Sequence, residues 1–209
     1  MKIVLLGVVA ALFLAWNLWG YFASDVEQAP YTVATKADGY EIRTYAPHII
    51  AETRVSGGYE EALNEGFRIV AAYIFGANTS KQKVAMTAPV TAQKASETIA
   101  MTAPVTAGLD GETRTVAFVM PKSYTLDTLP VPEDSRISLV EVPEKQMAVV
   151  TFSWYRTTAR VQEMEKQLLA ILEHDGIETV GTPIYAGYNA PWTPPWMVRN
   201  EVMIEIVQK

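Results

Sequence analysis

Twenty residues without a charge, Ile3 to Phe22, open the hydrophobic pattern, preceded by Lys2 and followed by Asp25 and Glu27. As a helix, a run of that length crosses a bilayer. The residues ahead of Ser24 are Gly20, Tyr21, Phe22 and Ala23, which do not make a clean small-x-small cleavage site, so the segment reads as an uncleaved anchor. Positive charge before the span and acidic residues after it predict a cytoplasmic N terminus and a body outside the cytoplasm, periplasmic if the source is a Gram-negative bacterium. Trp16, Trp19 and Tyr21 suit an aromatic belt at the outer interface.

Beyond a linker over 25–30 the period shortens to that of strands. Tyr31 to Ala34, Tyr40 to Tyr45 and Ile49 to Val55 are predicted strands, divided by Asp38-Gly39 and Pro47. From Tyr59 to Ile74 the spacing turns helical: Ala62, Leu63, Gly66, Phe67, Val70, Tyr73 and Ile74 share a face, and Gly76 ends the run. Strands return over Arg114 to Met120, Arg136 to Val142 and Gln146 to Trp154, with a proline-rich loop from Tyr124 to Asp134. A second helix, Thr158 to His174, carries Val161, Met164, Leu168, Ile171 and Leu172 on one face. Ile184 to Tyr188 and Glu201 to Val207 close the pattern, with Pro191-Trp192-Thr193-Pro194-Pro195-Trp196 between them.

One segment is nearly repeated: Val84 to Ala92 and Ile99 to Ala107 agree at eight of nine positions, both containing Met-Thr-Ala-Pro. Two copies are too few for a solenoid, so the pair predicts a hairpin with Met86 and Met101 at equivalent sites. Those thioethers suit either irregular core or a ligand. A weaker repeat sets Tyr40–Val90 beside Arg136–Pro191, each with two strands, a helix and a motif strand, and pairs Met86–Pro89 with Gly187–Pro191. Duplicated strand-helix-strand-strand halves make an α+β fold, with an antiparallel sheet curved into a distorted barrel and two helices outside it. The predicted organisation is an anchor over 1–24, a linker over 25–30 and one domain over 31–209.

The net charge of −6 and the lack of a basic run exclude a nucleic-acid partner. The absence of cysteine removes disulfides, thiolate ligands and thiol nucleophiles. Of two histidines, His174 ends a helix, and His48 starts a strand and is the better candidate ligand. No His-x-x-x-His pair, nucleophile elbow or phosphate loop is present, so no catalytic apparatus is expected. The Pro-Trp segment suits core burial, the lip of an apolar pocket, or a membrane surface.

Several motifs in order, Tyr40-Glu41-Ile42-Arg43-Thr44-Tyr45, Glu61-Ala62-Leu63, Lys83 to Val90, Phe118-Val119-Met120-Pro121, Tyr185 to Pro191 and Arg199-Asn200-Glu201-Val202, make the chain from about residue 31 onward resemble the SOUL haem-binding family. The resemblance implies a duplicated barrel of eight or so antiparallel strands with two helices, and non-covalent haem or porphyrin binding without catalysis. By position it implies ring contact from Asn64, Phe67 and Ala71 on the first domain helix, with Arg68 or Lys83 standing in for the basic residue some members set near a propionate. Some members carry a histidine where this chain has Thr44, so His48, Met86 or Met101 is left as the possible iron ligand. The duplicated architecture also resembles GyrI-like effector-binding domains, which bind apolar cations. The expected activity is therefore haem or tetrapyrrole binding by a membrane-anchored domain. The alternatives are a module for another apolar molecule or lipid, and a membrane-tethered interaction protein.

Overall fold

The computed structural model describes residues 2–23, 26–80, 96–110, 113–190 and 192–207. Helix α1 (Lys2–Ala23) precedes β1 (Tyr31–Lys36), β2 (Glu41–Tyr45), β3 (His48–Ser56), α2 (Tyr59–Ile74) and the short β4 (Asn78–Thr79). Then come β5 (Val105–Asp110), β6 (Thr113–Val119), the short β7 (Val131–Pro132), β8 (Ile137–Val142) and β9 (Lys145–Phe152). The chain ends with α3 (Thr158–His174), β10 (Thr179–Gly187), a 3-10 turn at Pro195–Met197 and β11 (Asn200–Ile206). Among the described residues, α1 alone is long and apolar enough, over Val4–Phe22, to cross a membrane.

The ends of α2 and α3 follow from local chemistry. Glu60 and Glu61 sit in the first turn of α2, where carboxylates meet the positive end of the helix dipole. Gly76 follows its last turn at φ 116°. Thr157 caps α3 by accepting from the Arg160 amide at 3.2 Å. Gly66 is required by packing, since a Cβ there would lie 2.6 Å from Val116 Cγ2 on the sheet below.

Nine strands form one curled antiparallel sheet in the order β1-β2-β9-β11-β10-β5-β6-β3-β8. From β2 to β8 that order reads the same from both ends once each strand of one half is exchanged for its counterpart. Thus β2, β3, α2, β5 and β6 correspond to β8, β9, α3, β10 and β11, and the pseudo-twofold lies between β5 and β10. The duplication and the α+β class expected from sequence are present.

Two expectations about the repeated motif are corrected. The second copy is extended only from Val105, and β5 is already paired on one edge by β6 and on the other by β10, so it has no edge for a hairpin with the first copy. Pro104 has no amide to donate, and pairing starts after it, at Val105. The first copy, Lys83 and Met86 lie outside the described residues. In addition, Gly187 ends β10, whose counterpart is β5, so the segment after it corresponds to the end of β5 and not to Met86–Pro89.

Strand alternation divides the core. Ala51, Val55, Val116 and Phe118 face α2, joining Leu63, Val70, Tyr73 and Ile74. Ala148, Phe152, Tyr185, Val202 and Ile204 face α3 with Val161, Leu168 and Leu172. The residues between them point inward: Tyr45, Val119, Met147, Val149, Ala186, Tyr188 and Met203 form a third cluster on the inner face of the curl.

Candidate functional site

The residues expected to contact a ligand fall on opposite faces of the sheet. Asn64 is exposed, Phe67 is 39 % exposed, and Ala71 is buried, so the α2 stripe descends from solvent into the core. The Phe67 ring rests on Phe118, 5.2 Å between centroids. Arg68 looks the other way, into an open groove of about 760 Å³ with Glu65, Ala72, Tyr73, Asp134 and Arg136. Arg136 is held there by Asp134 at 2.7 Å and Glu65 at 3.3 Å, which makes the groove strongly charged.

His48 is two residues from Ile50 and shares its inward parity, so β3 itself separates it from the α2 stripe. It lines two adjoining cavities. One, of about 350 Å³, is walled by Tyr45, Ile50, Val119, Met147, Ile184 and Met203, with Lys145 and Glu205 among its few polar groups. The other, of about 480 Å³, runs past Pro47, Thr102, Met120 and Tyr124. His48 Nδ1 lies 2.8 Å from the Ala46 carbonyl oxygen. A carbonyl only accepts, so Nδ1 carries a proton, and in the neutral imidazole the lone pair is then on Nε2, the tautomer a metal ligand needs.

The inner face also contains a fully buried carboxylate. Glu201, 0 % exposed, accepts from Arg43 Nη1 at 2.9 Å, Arg199 Nη2 at 2.7 Å, Thr151 Oγ1 at 3.2 Å and the Tyr188 hydroxyl at 2.6 Å. Arg43 also reaches Glu41 at 2.8 Å and lies 4.5 Å from the Tyr31 ring centroid. Arg199 lies 4.0 Å over the Tyr188 ring. Burial pulls the Arg43 guanidinium down, but Glu201 and Tyr45 more than offset it and leave it raised. Burial, then Glu201, pushes the Tyr188 phenol well above its ordinary value. Arg43 touches Tyr45 at 3.4 Å, so this network braces one wall of the His48 cavity.

Motif residues far apart in sequence thus meet at one charge cluster. A family model described as "SOUL heme-binding protein" matches residues 26–205. The chain belongs to the SOUL haem-binding family. Human "Heme-binding protein 2" (Homo sapiens) is 29 % identical over 167 residues, covering 78 % of this chain and 77 % of that protein. The mouse protein of the same name (Mus musculus) is 26 % identical over 187 residues, covering 85 % and 87 %. Among solved structures, the EcmrR C-terminal domain superposes with a TM-score of 0.58 at 10 % identity, covering 86 % of this chain and 99 % of that one. A hydrolase from Listeria innocua superposes with a TM-score of 0.51 at 12 % identity, covering 83 % and 94 %. At those identities the likeness is one of fold alone.

For a SOUL-family member the donor set around the inner cavity fits haem. It combines an imidazole of fixed tautomer, two buried thioethers, apolar walls and an ammonium, Lys145, now paired with Glu205 at 2.5 Å. Among the described residues, no cluster of three or more carboxylate or imidazole side chains could hold a bare metal ion. Met147, Met203, Tyr45 and Lys145 were not anticipated from sequence. Their inward parity within a strand is legible, but their proximity depends on the register that sets Arg43 opposite Met147 and Val149 opposite Met203.

Proposed function

We propose that this SOUL-family chain binds haem, or a closely related tetrapyrrole, non-covalently on the inner face of its sheet, and that it binds rather than catalyses. The observation that carries the reading is His48, its Nδ1 committed to Ala46 and its ring lining two cavities of ligand-binding size. In this arrangement His48 offers the iron ligand, Met147 and Met203 offer soft contact, and Lys145 meets a propionate. Asn64, Phe67, Arg68 and Ala71 supply the competing external site. We further propose that α1 anchors the domain, with Lys2 cytoplasmic and the sheet on the other side of the membrane, because charge falls positive before the span and acidic after it.

Hemin titrated into the full chain in mild detergent tests the reading. A saturable Soret shift is expected, and His48→Ala should weaken it by about tenfold or more and move the band, as loss of an iron ligand does. Phe67→Ala should leave affinity within about twofold, since its contact is mainly Phe118. Greater loss in Phe67→Ala moves the site to the α2 face, and no saturable shift ends the haem reading. Mass spectrometry of molecules retained through native purification then identifies any other apolar ligand.

A further inference from the structure

Trp192 and Trp196 are absorbed by neither the core nor the proposed haem site. Their loop, residues 192–196, lies against α1, far inside the apolar run. The Trp196 ring lies 5.6 Å from Phe13 and 5.5 Å from Trp16, and Trp192 lies 6.3 Å from Trp19, between centroids. Trp16 Nε1 donates to the Trp192 carbonyl at 2.9 Å, and Trp196 Nε1 donates to Asn17 Oδ1 at 3.1 Å. Gly20 is the point of closest approach: a Cβ there would lie 2.6 Å from Pro194 Cδ.

The geometry becomes informative once α1 is taken to span a bilayer, the reading on which this inference rests. Val4–Phe22 measures about 28 Å at about 1.5 Å per residue, against a hydrocarbon core of about 30 Å. Almost the whole run is needed. Gly20 and Phe13 are two and nine residues before Phe22, so the contacts with the loop lie about 3 to 14 Å inside the outer end of the span. Were the loop in water, the span would shrink to Val4–Leu12, about 14 Å, which is half of what a crossing requires.

The side-chain polar groups of Trp16, Asn17 and Trp196 at the contact are met by protein, while the buried Thr193 hydroxyl of the same loop has no partner. Asn17, the one amide side chain in the run, donates from Nδ2 to the Phe13 carbonyl at 2.8 Å and accepts from Trp196. Two indole N–H groups are likewise satisfied by protein, where a surface loop could leave them to water. The apolar surfaces nevertheless remain outward: Trp192 is 64 % and Trp196 43 % exposed. Trp154, whose amide donates to the Pro195 carbonyl, and its chain neighbour Tyr155 are about half exposed. Trp154 is held in the left-handed region at φ 76° by the hydrogen bond its backbone N–H donates to the Pro195 carbonyl (2.9 Å) and by the one its own carbonyl accepts from Asn200 Nδ2 (2.7 Å). A non-glycine residue seldom adopts that conformation, which asks for a reason to present that ring.

We propose that Trp192 and Trp196, with Trp154 and Tyr155 at their flank, form a membrane-inserting surface that seats the domain in the outer leaflet of the bilayer crossed by α1. The occupant is lipid: at that depth the exposed ring faces meet acyl chains, while the indole N–H edges of Trp16 and Trp196 are satisfied by protein. The domain is then rigidly docked and does not swing on the 25–30 linker.

The chain has no cysteine, so single cysteines report position cleanly. Full-length Trp192→Cys, Leu12→Cys and Glu173→Cys are reconstituted into phosphatidylcholine vesicles and treated with a charged, membrane-impermeant maleimide. Glu173 lies at the end of α3 away from Trp154, so it reports water and normalises for orientation. A thiol in hydrocarbon neither ionises nor meets the reagent, so Leu12→Cys and Trp192→Cys should both react about tenfold or more slowly than Glu173→Cys. Tyr155→Cys probes the same surface without removing a tryptophan and should also be protected. Protection of Leu12 with Trp192 and Tyr155 both reacting like Glu173 overturns the inserted surface and leaves the anchor standing. Rapid labelling at Leu12 itself removes the anchor reading and this inference with it.

Discussion

Replacing Glu201 by glutamine removes one charge from the centre of the inner face while keeping its shape. The carboxylate is fully buried between Arg43, whose side chain is 4 % exposed, and Arg199, whose side chain is 29 % exposed. Breaking a buried ion pair from one side costs about 3–5 kcal/mol, because the partner stays buried and uncompensated. Here the loss belongs near the lower limit: Arg43 retains Glu41, and Arg199 retains Gln28 Oε1 at 3.0 Å, the Tyr31 hydroxyl at 3.2 Å and part of its hydration. A loss of about 3 kcal/mol corresponds to a fall in Tm of about 6–12 °C for a domain of this size. Thermal unfolding of the full chain in mild detergent, followed by far-ultraviolet circular dichroism, measures it. Glu205→Gln is the matched control on the same strand. Its pair with Lys145 is about one-third exposed on both sides, so solvent screening limits the loss to about 1 kcal/mol or less. If Glu201→Gln shifts Tm no more than Glu205→Gln, burial is not what gives the Glu201 network its weight, and the reasoning fails.

Gly66→Ala should destabilise the domain, because overpacking against Val116 costs about 1–3 kcal/mol and outweighs a helix-propensity gain of about 1 kcal/mol; a raised Tm would contradict the close approach of α2 to β6. The Tyr124 phenol is pushed up to about 12 by its 2.6 Å hydrogen bond to Glu97 and by burial. A raised folded-state value gives stability that is complete below the unfolded value of about 10 and is lost as pH rises through about 12. The stability gap between the native chain and Tyr124→Phe should therefore shrink between those two pH values, and a constant gap in melts across that range counts against the bond. The opposed effects of His48→Ala and Phe67→Ala on the hemin titration complete the set.

Local pattern by itself determined most of the elements. Tyr59–Ile74 and Thr158–His174 are helices over the residues their spacing indicates, and most strands agree within a residue or two, because periodicities of 3.6 and 2 are properties of neighbouring residues. The duplication was legible too, since each half repeats the same local order. The repeated Met-Thr-Ala-Pro segment misled, because similarity between two stretches says nothing about which strand edges are free, and β5 is occupied on both edges. The candidate site was only partly visible. Asn64, Phe67, Arg68 and His48 are chemically apt one by one, yet a sheet stands between His48 and the helix, and facing is a property of the assembled strands. Likewise Arg43, Arg199 and Glu201 could be read as motif positions, but only the register of β2, β9 and β11 makes them one buried charge network bracing the cavity. Long-range pairing decided these outcomes, since the energy of a buried charge or an apolar cavity depends on groups that are neighbours in space and strangers in sequence.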